Sequence, residues 1–247
     1  VTVADTREAP PQLPALQQEL HQVRFVSGAF DASLVQGQSL QAVYRSPGLS
    51  PEAVAPVLEA LKGKLSVPVS VDTFYESVAE WSLEQGASII NDVSGRVNHE
   101  MLRIVKEHGA GYIIMHCEGL EQPITDKLLF LAEQANKAGI DRDSICLDIG
   151  IGFHKNTEEN IDLLRHLKEI KPGGYPLLIG ASRKRFIGAV SGEETPENRD
   201  AGTIAAHTLA IAAGADIIRV HEVKPAVQAA RVADRIVRFL PQEETGE

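Results

Sequence analysis

Cysteine is scarce in this chain: Cys117 and Cys146 are the only two, and their spacing suits neither a zinc site nor a disulfide framework. That argues against a cystine-stapled scaffold and fits a reducing cytoplasm. Long apolar runs are missing as well, so no segment reads as a membrane span. Residues 1–12, VTVADTREAPPQ, lack the basic-then-apolar layout of a signal peptide. Basic charge is in the minority. The 24 Lys and Arg against 34 Asp and Glu leave a formal charge of −10, which argues against a nucleic-acid or anionic-membrane partner. No GxGxxG turn opens a helix anywhere, so the mark of a dinucleotide-binding sheet is missing too.

What is present is a repeat. From residue 66 onward a short apolar run ends on a polar residue and is followed by a helix-period segment. VPVSVDT precedes ESVAEWSLEQG, SIINDVSG precedes NHEMLRIVKEHG, and GYIIMHCEG precedes TDKLLFLAEQANKAG. SICLDIGIGF precedes TEENIDLLRHLKEI, PLLIGASRK leads through a loop to AGTIAAHTLAIAAG, and ADIIRVHE precedes PAVQAARVADRIVRFL. Continuous apolar strands fit a parallel sheet covered by helices. Gly86, Gly109, Gly139 and Gly214 stand where helices should stop in a left-handed cap. Asn98 and Thr157 are candidate helix starts.

Six such units allow either an open doubly wound sheet or an eight-fold barrel. A barrel needs two more strands from residues 1–65, with candidates at 1–5, 23–30 and 39–46. Helices are expected at 13–22 and 51–63, the latter with an early proline that a helix tolerates. The 247 residues suit a single domain, with residues 1–50 irregular and the tail 241–247 frayed.

The polar strand ends carry the functional signal. They are Asp72, Asn91 with Asp92, His116, Asp148, Lys184, and Arg219 with His221. In a parallel barrel the strand C-termini share one face, where side chains converge. One polar strand end is unremarkable; six in succession point to a shared pocket. Asp72, Asn91 and Asp148 would offer acceptors and a donor to the edge of a flat heterocycle. Lys184 and Arg219 would balance the buried carboxylates and lie over or beside a ring. Arg219 and His221 alternate along the last strand and would form a two-pronged donor site for a phosphate-type anion. His116 and Cys146 read equally as core residues, and His108, His166 and His207 as structural or solvated. GIGF (150–153) is a weak candidate for a phosphate-cradling loop.

In this order, VPVSVDT, GASIINDVSG, IIMH, LDIGIGF, LIGASRKRFIG and ADIIRVHEV resemble dihydropteroate synthase, over residues 50–238. The resemblance implies a single-domain (β/α)8 TIM-type barrel. It implies condensation of 6-hydroxymethyl-7,8-dihydropterin pyrophosphate with 4-aminobenzoate, Mg2+ as cofactor, competition by sulfonamides at the aminobenzoate site, and a cytoplasmic homodimer. Carried over residue by residue, it implies that Asp72, Asn91, Met115, Asp148, Lys184 and Arg219 bind the pterin. Arg219 and His221 would hold the pyrophosphate, and Lys184, Arg219 and Asp148 would carry the chemistry.

The sequence also departs from the family pattern. No stretch resembles the first-strand loop NVTPDSFSDGG that supplies an asparagine to pyrophosphate and Mg2+, so the metal ligands stay unassigned. QAVYRSPG (41–48) stands where GGESTRPG is usual, leaving Arg45 and Pro47 as aminobenzoate candidates. DPG is here Asp148-Ile149-Gly150, His154 stands where a glycine is usual, and Arg185 replaces a serine expected beside aminobenzoate. Two other readings therefore stay open: a pterin-binding paralogue without synthase activity, and a methyltetrahydrofolate methyltransferase barrel. Within IGASRKRFIG, strand alternation turns Lys184 toward the pocket and sends Arg183 away, toward a structural ion pair.

Overall fold

The computed structural model describes residues 2–5, 24–27, 58–59, 62–65 and 67–238. The chain divides into two compact units, Val1–Ile90 and Asn91–Glu247.

In the first unit, β1 (Thr2–Asp5) and β2 (Arg24–Ser27) pair in parallel, with Thr2 opposite Arg24 and Asp5 opposite Ser27. Both fall within expected strands. The candidate strand 39–46 and the candidate helix 13–22 lie outside the described residues. Of the helix expected at 51–63, Leu58 and Glu59 are helical. β3 (Ser70–Asp72) is followed by α1 (Glu76–Glu84), which buries Val78, Ala79 and Leu83. The chain then turns at Gly86 with φ +100°. It returns beside β3, where the N–H groups of Ser88 and Ile89 donate to the Val69 carbonyl.

β4 (Ile89–Asp92) leads into the second unit, where β5 (Gly111–Met115), β6 (Ile145–Asp148), β7 (Leu177–Ile179) and β8 (Ile217–Ile218) follow. β3 to β8 are hydrogen-bonded neighbours in chain order. β5 to β8 pair in parallel, with Met115 opposite Asp148, Asp148 opposite Leu178, and Leu178 opposite Ile217. Ile90, Tyr112, Ile114, Leu147, Leu177 and Ile179 are almost wholly buried. Each such apolar side chain contributes about 1.5–3 kcal/mol relative to exposure. Burial on both faces explains why these strands read as continuous apolar runs.

The connecting helices follow sequence signals. α2 (His99–Glu107) starts at Asn98, whose Oδ1 accepts from the Met101 N–H at 2.8 Å. α3 (Ile124–Lys137) buries Leu128, Leu131, Ala132 and Ala135 along one face. Gly109, Gly139 and Gly214 take φ of +59°, +98° and +105°, the left-handed stops expected of them.

Three sequence expectations change. The segment expected as one helix at 157–170 is broken at His166 into α4 (Thr157–Arg165) and α5 (Leu167–Ile170). The first of these helices starts at Thr157 as expected, capped by Asn156 in a reciprocal box with Glu159. The stretch expected as a loop after SRK contains α6 (Arg185–Ser191), which ends at Gly192 with φ +74°. α7 (Asp200–Ala212) and α8 (Val223–Val237) follow. Finally, β7 ends at Ile179 and β8 at Ile218, so Lys184, Arg219 and His221 lie beyond their strands. Strand alternation therefore does not orient them. Among the described residues, no helix is long and apolar enough to cross a membrane.

Candidate active site

The site of the second unit is built from the segments that follow β5, β6, β7 and β8. Asp148 closes β6, is 7% exposed, and accepts the Gly150 N–H on Oδ1 at 2.7 Å. Gly150 has φ +68°, and a Cβ there would lie 1.8 Å from the His116 carbonyl oxygen. The turn therefore needs glycine twice over, for its dihedral and for the close approach of the β5 end. Burial pushes the Asp148 carboxyl up, while the Gly150 N–H and then Lys184, Arg219 and Lys155 pull it back down. A Cβ on Gly180 would lie 4.0 Å from both Asp148 Oδ2 and the Arg219 Cβ, so the residue after β7 borders this pair at ordinary contact distance.

Lys184 is the residue before α6. Its Nζ donates to the Ile151 carbonyl and sits 4.5 Å from the centroid of the Phe153 ring. Burial lowers its pKa to about 8; Asp148 opposes that shift, while Arg219 and Lys155 add to it. Gly152, at φ +80°, leaves room for this side chain: a Cβ there would sit 2.5 Å from Lys184 Cδ. Asp148, Lys184 and Arg219 thus form one electrostatic cluster, a buried carboxylate among cations.

His221 is fixed from the other side. Ser182 Oγ accepts the His221 N–H at 3.2 Å and lies 2.7 Å from His221 Nδ1. A hydroxyl that accepts the backbone N–H can donate its own proton to Nδ1, which leaves Nε2–H as a donor. Burial, with Arg183 next, lowers the His221 pKa, so the neutral ring is favoured. Nothing in the sequence pattern singled out Ser182; only the fold brings it beneath a histidine 39 residues away.

Asn91 and Met115 are both buried, at 2% and 1% exposure, and Met115 faces Asp148 in the β5–β6 register. Asp92, one residue on, serves the strand end: its Oδ2 accepts the buried Tyr112 hydroxyl at 2.7 Å and its Oδ1 the Ser94 N–H. Asp72 belongs to the first unit, at the end of β3. Arg45 and Pro47 lie outside the described residues.

The three cations of SRKR separate. Arg183 takes φ +57° and pairs with Asp200 through two contacts of 2.7 and 2.8 Å, with Glu222 at 3.3 Å. It is the structural ion pair expected of it, although a turn rather than strand alternation turns it there. Arg185 is the exposed first residue of α6. It borders a cleft of about 640 Å³ that is also lined by Phe153, Lys155, Thr157, Lys184 and Arg199.

The GIGF segment is not a phosphate cradle. Its N–H groups at Gly150, Gly152 and Phe153 are taken by Asp148, Asn160 and the Gly150 carbonyl. Sequence reasoning also missed Lys155, which is 7% exposed in the loop after β6. Beside it His116 is almost wholly buried, and burial, with Lys155 next, lowers its pKa to about 4. Among the described residues, no three His, Cys, Asp or Glu side chains converge on a point that could hold a metal.

A family model for pterin binding enzymes matches residues 35–221. A dihydropteroate synthase from Synechocystis is 36% identical over 254 residues, covering 96% of this chain and 88% of its own length. Among solved structures, the dihydropteroate synthase of Xanthomonas albilineans in complex with 7,8-dihydropteroate aligns with a TM-score of 0.71 at 37% identity. That match covers 76% of this chain and 74% of the other. The Thermus thermophilus dihydropteroate synthase in complex with 6HMPPP aligns with a TM-score of 0.71 at 30% identity, covering 95% and 91%.

Proposed function

The chain belongs to the pterin binding enzyme family, among its dihydropteroate synthases, and from that premise we propose how its own residues carry the reaction. The enzyme joins 6-hydroxymethyl-7,8-dihydropterin pyrophosphate to 4-aminobenzoate. The observation that carries the residue assignment is the buried Asp148 carboxylate with Lys184 and Arg219 about it. A flat, electron-rich heterocycle with donor and acceptor edges suits that surround.

In the proposed sequence, Asn91 and Asp148 hydrogen-bond the pterin edge, Met115 packs against the ring, and the resemblance adds Asp72 to this set. The C–O bond between the pterin methylene and pyrophosphate breaks, its electron pair leaving with the pyrophosphate. Arg219 and neutral His221 stabilise the charge gathered on that leaving group. The Asp148 carboxylate offsets the positive charge left on the pterin. The amine nitrogen of 4-aminobenzoate then forms the new C–N bond and loses one proton. Such a route needs preorganised charge more than a strong base, and no side chain of the cluster is an activated nucleophile.

Lys184 and Phe153 border the cleft in which 4-aminobenzoate would lie, with Arg185, Arg45 and Pro47 as further candidates and sulfonamides as competitors. The described residues supply no carboxylate or histidine cluster for Mg2+. Mg2+, which the resemblance implies, would take pyrophosphate oxygens among its ligands and offset their charge. A single eight-stranded barrel across residues 1–247 and a cytoplasmic homodimer complete the reading. The homodimer is supported by an apolar groove of about 760 Å³ bordered by Ile161, Leu164, Phe186 and the exposed Val190 and Leu209. The sequence alternatives, a silent paralogue and a methyltransferase, give way to relatives named as synthases across most of this chain.

Calorimetry tests the anion assignment. Arg219→Ala should weaken pterin pyrophosphate by about 1.5–3 kcal/mol and the free pterin alcohol by less. Equal loss for both ligands would remove Arg219 from the pyrophosphate site.

A further inference from the structure

Lys155 is among the most connected side chains of the second unit and takes no direct part in the proposed reaction. Its Nζ lies 3.2 Å from the Gly150 carbonyl, 3.0 Å from the Phe153 carbonyl, 3.2 Å from the Glu118 carbonyl and 3.2 Å from His116 Nδ1. The first two partners belong to its own loop after β6, and the last two to the segment after β5. A buried lysine on the surface of a loop would normally extend into water; its burial is tolerated here because every ammonium proton has an acceptor.

That loop sets the cluster. Gly150 donates to Asp148, Ile151 accepts from Lys184, and Phe153 lies under the Lys184 ammonium. Three contacts to the reacting groups thus arise from four consecutive residues that Lys155 closes into a ring and ties to the β5 end. Among the described residues its hydrogen-bond partners are carbonyls and a ring nitrogen and none is a carboxylate, so no simple ion pair among them holds it there. The loop takes left-handed φ at Gly150, Gly152 and His154, at +68°, +80° and +47°; the two glycines adopt it without steric cost and His154 is the strained member. Two glycines free to take many conformations and one strained histidine need something to hold the loop in this single shape.

We infer that Lys155 is the positioning residue of this enzyme: it holds the loop after β6 in the one shape that aims Asp148, Lys184 and Phe153 at the substrates. The inference rests on the proposed assignment of Asp148 and Lys184. Lys155 also acts on them through its charge. The groups that face Lys184 are Asp148 on β6, Arg219 after β8 and Lys155 itself. Those that face Lys155 are Cys117, Asp148 and Glu159, with His116 and Glu118 at its other side. Removing this cation therefore raises the pKa of both Asp148 and Lys184.

The test compares the parent enzyme with Lys155→Met, in steady-state kinetics from pH 5 to 10, with circular dichroism and thermal melts alongside. The variant should keep the fold while kcat/KM falls roughly ten- to a hundredfold. Both limbs of its pH profile should move to higher pH. A melting point lowered with KM, kcat per folded enzyme and both limbs unchanged would make Lys155 a structural residue and overturn the inference. Where Lys155→Met fails to fold, Lys155→Arg decides. It keeps the charge, so the limbs should stay in place, but it cannot reach four acceptors from one point, so kcat/KM should still fall. Parent-like kcat/KM in Lys155→Arg overturns the positioning role. A parent profile without an alkaline limb that Lys184→Arg abolishes is a different failure, that of the Lys184 assignment.

Discussion

Two glycines two residues apart make the sharpest mechanical test of the site. Gly150 and Gly152 both have positive φ, so alanine at either carries a left-handed backbone cost of about 1–2 kcal/mol. Their surroundings differ. At Gly150 the new Cβ would sit 1.8 Å from the His116 carbonyl oxygen, a backbone atom that cannot rotate aside. Separating them shifts the end of β5, where the His116 N–H donates to the Asp148 carbonyl at 2.8 Å. The overpacking adds about 1–3 kcal/mol and the strained hydrogen bond about 1 kcal/mol. Gly150→Ala should therefore lose about 3–6 kcal/mol in urea unfolding. At Gly152 the Cβ would meet Lys184 Cδ at 2.5 Å, the middle of a flexible side chain. That chain can swing away, so Gly152→Ala should lose only the backbone cost of about 1–2 kcal/mol, while displacing the Lys184 ammonium from Ile151 and Phe153. Its kcat/KM should fall by at least about tenfold. Equal destabilisation by the two substitutions, or parent activity in Gly152→Ala, would refute this account of the loop.

Three further outcomes follow from groups already placed. With Lys184 titrating near 8, kcat/KM should decline above that pH as the ammonium is lost, and Lys184→Arg, which does not titrate there, should abolish the decline. His207 is 2% exposed, accepts the Ala181 N–H on Nε2 and has its pKa lowered by burial to about 4. A folded pKa below the unfolded one gives stability that is present above about 6.5 and is lost as pH falls toward 4. His207→Gln should remove up to ~3 kcal/mol of that acid sensitivity, read as a flatter urea midpoint between pH 7 and 4. His154 sits at φ +47° without being glycine, so His154→Gly should raise the melting point, by up to ~1 kcal/mol at the transition.

Much of this was legible in the chain, for identifiable reasons. A strand buried on both faces writes itself as an apolar run, as β4 to β7 do; β3 and β8 also lie where such runs stand, although β3 exposes Ser70 and β8 exposes Ile217. The glycine stops at 86, 109, 139 and 214 were readable because only glycine takes those φ values cheaply. Less legible were the positions just past the strands. The strands stop at Ile179 and Ile218, so Lys184, Arg219 and His221 take their orientation from turns, α6 and Ser182 rather than from period two. α6 itself escaped because its seven residues, RFIGAVS, carry a glycine and no helical period long enough to count. Lys155 escaped because its four partners are three carbonyls and a ring nitrogen, and backbone carbonyls leave no mark on a sequence. The resemblance to a family supplied the substrates. A carboxylate can stay buried at Asp148 because cations and a backbone N–H surround it.

The most direct measurement is product formation. The chain should be incubated with 6-hydroxymethyl-7,8-dihydropterin pyrophosphate, 4-aminobenzoate and Mg2+, and followed by chromatography for 7,8-dihydropteroate and released pyrophosphate. The parent should form both in equal amounts. Asp148→Asn should fall at least about tenfold, the worth of one hydrogen bond to a charged group, with its fold intact. Absence of dihydropteroate at high enzyme concentration, or parent rates in Asp148→Asn, would contradict the claim that this buried cluster carries the reaction.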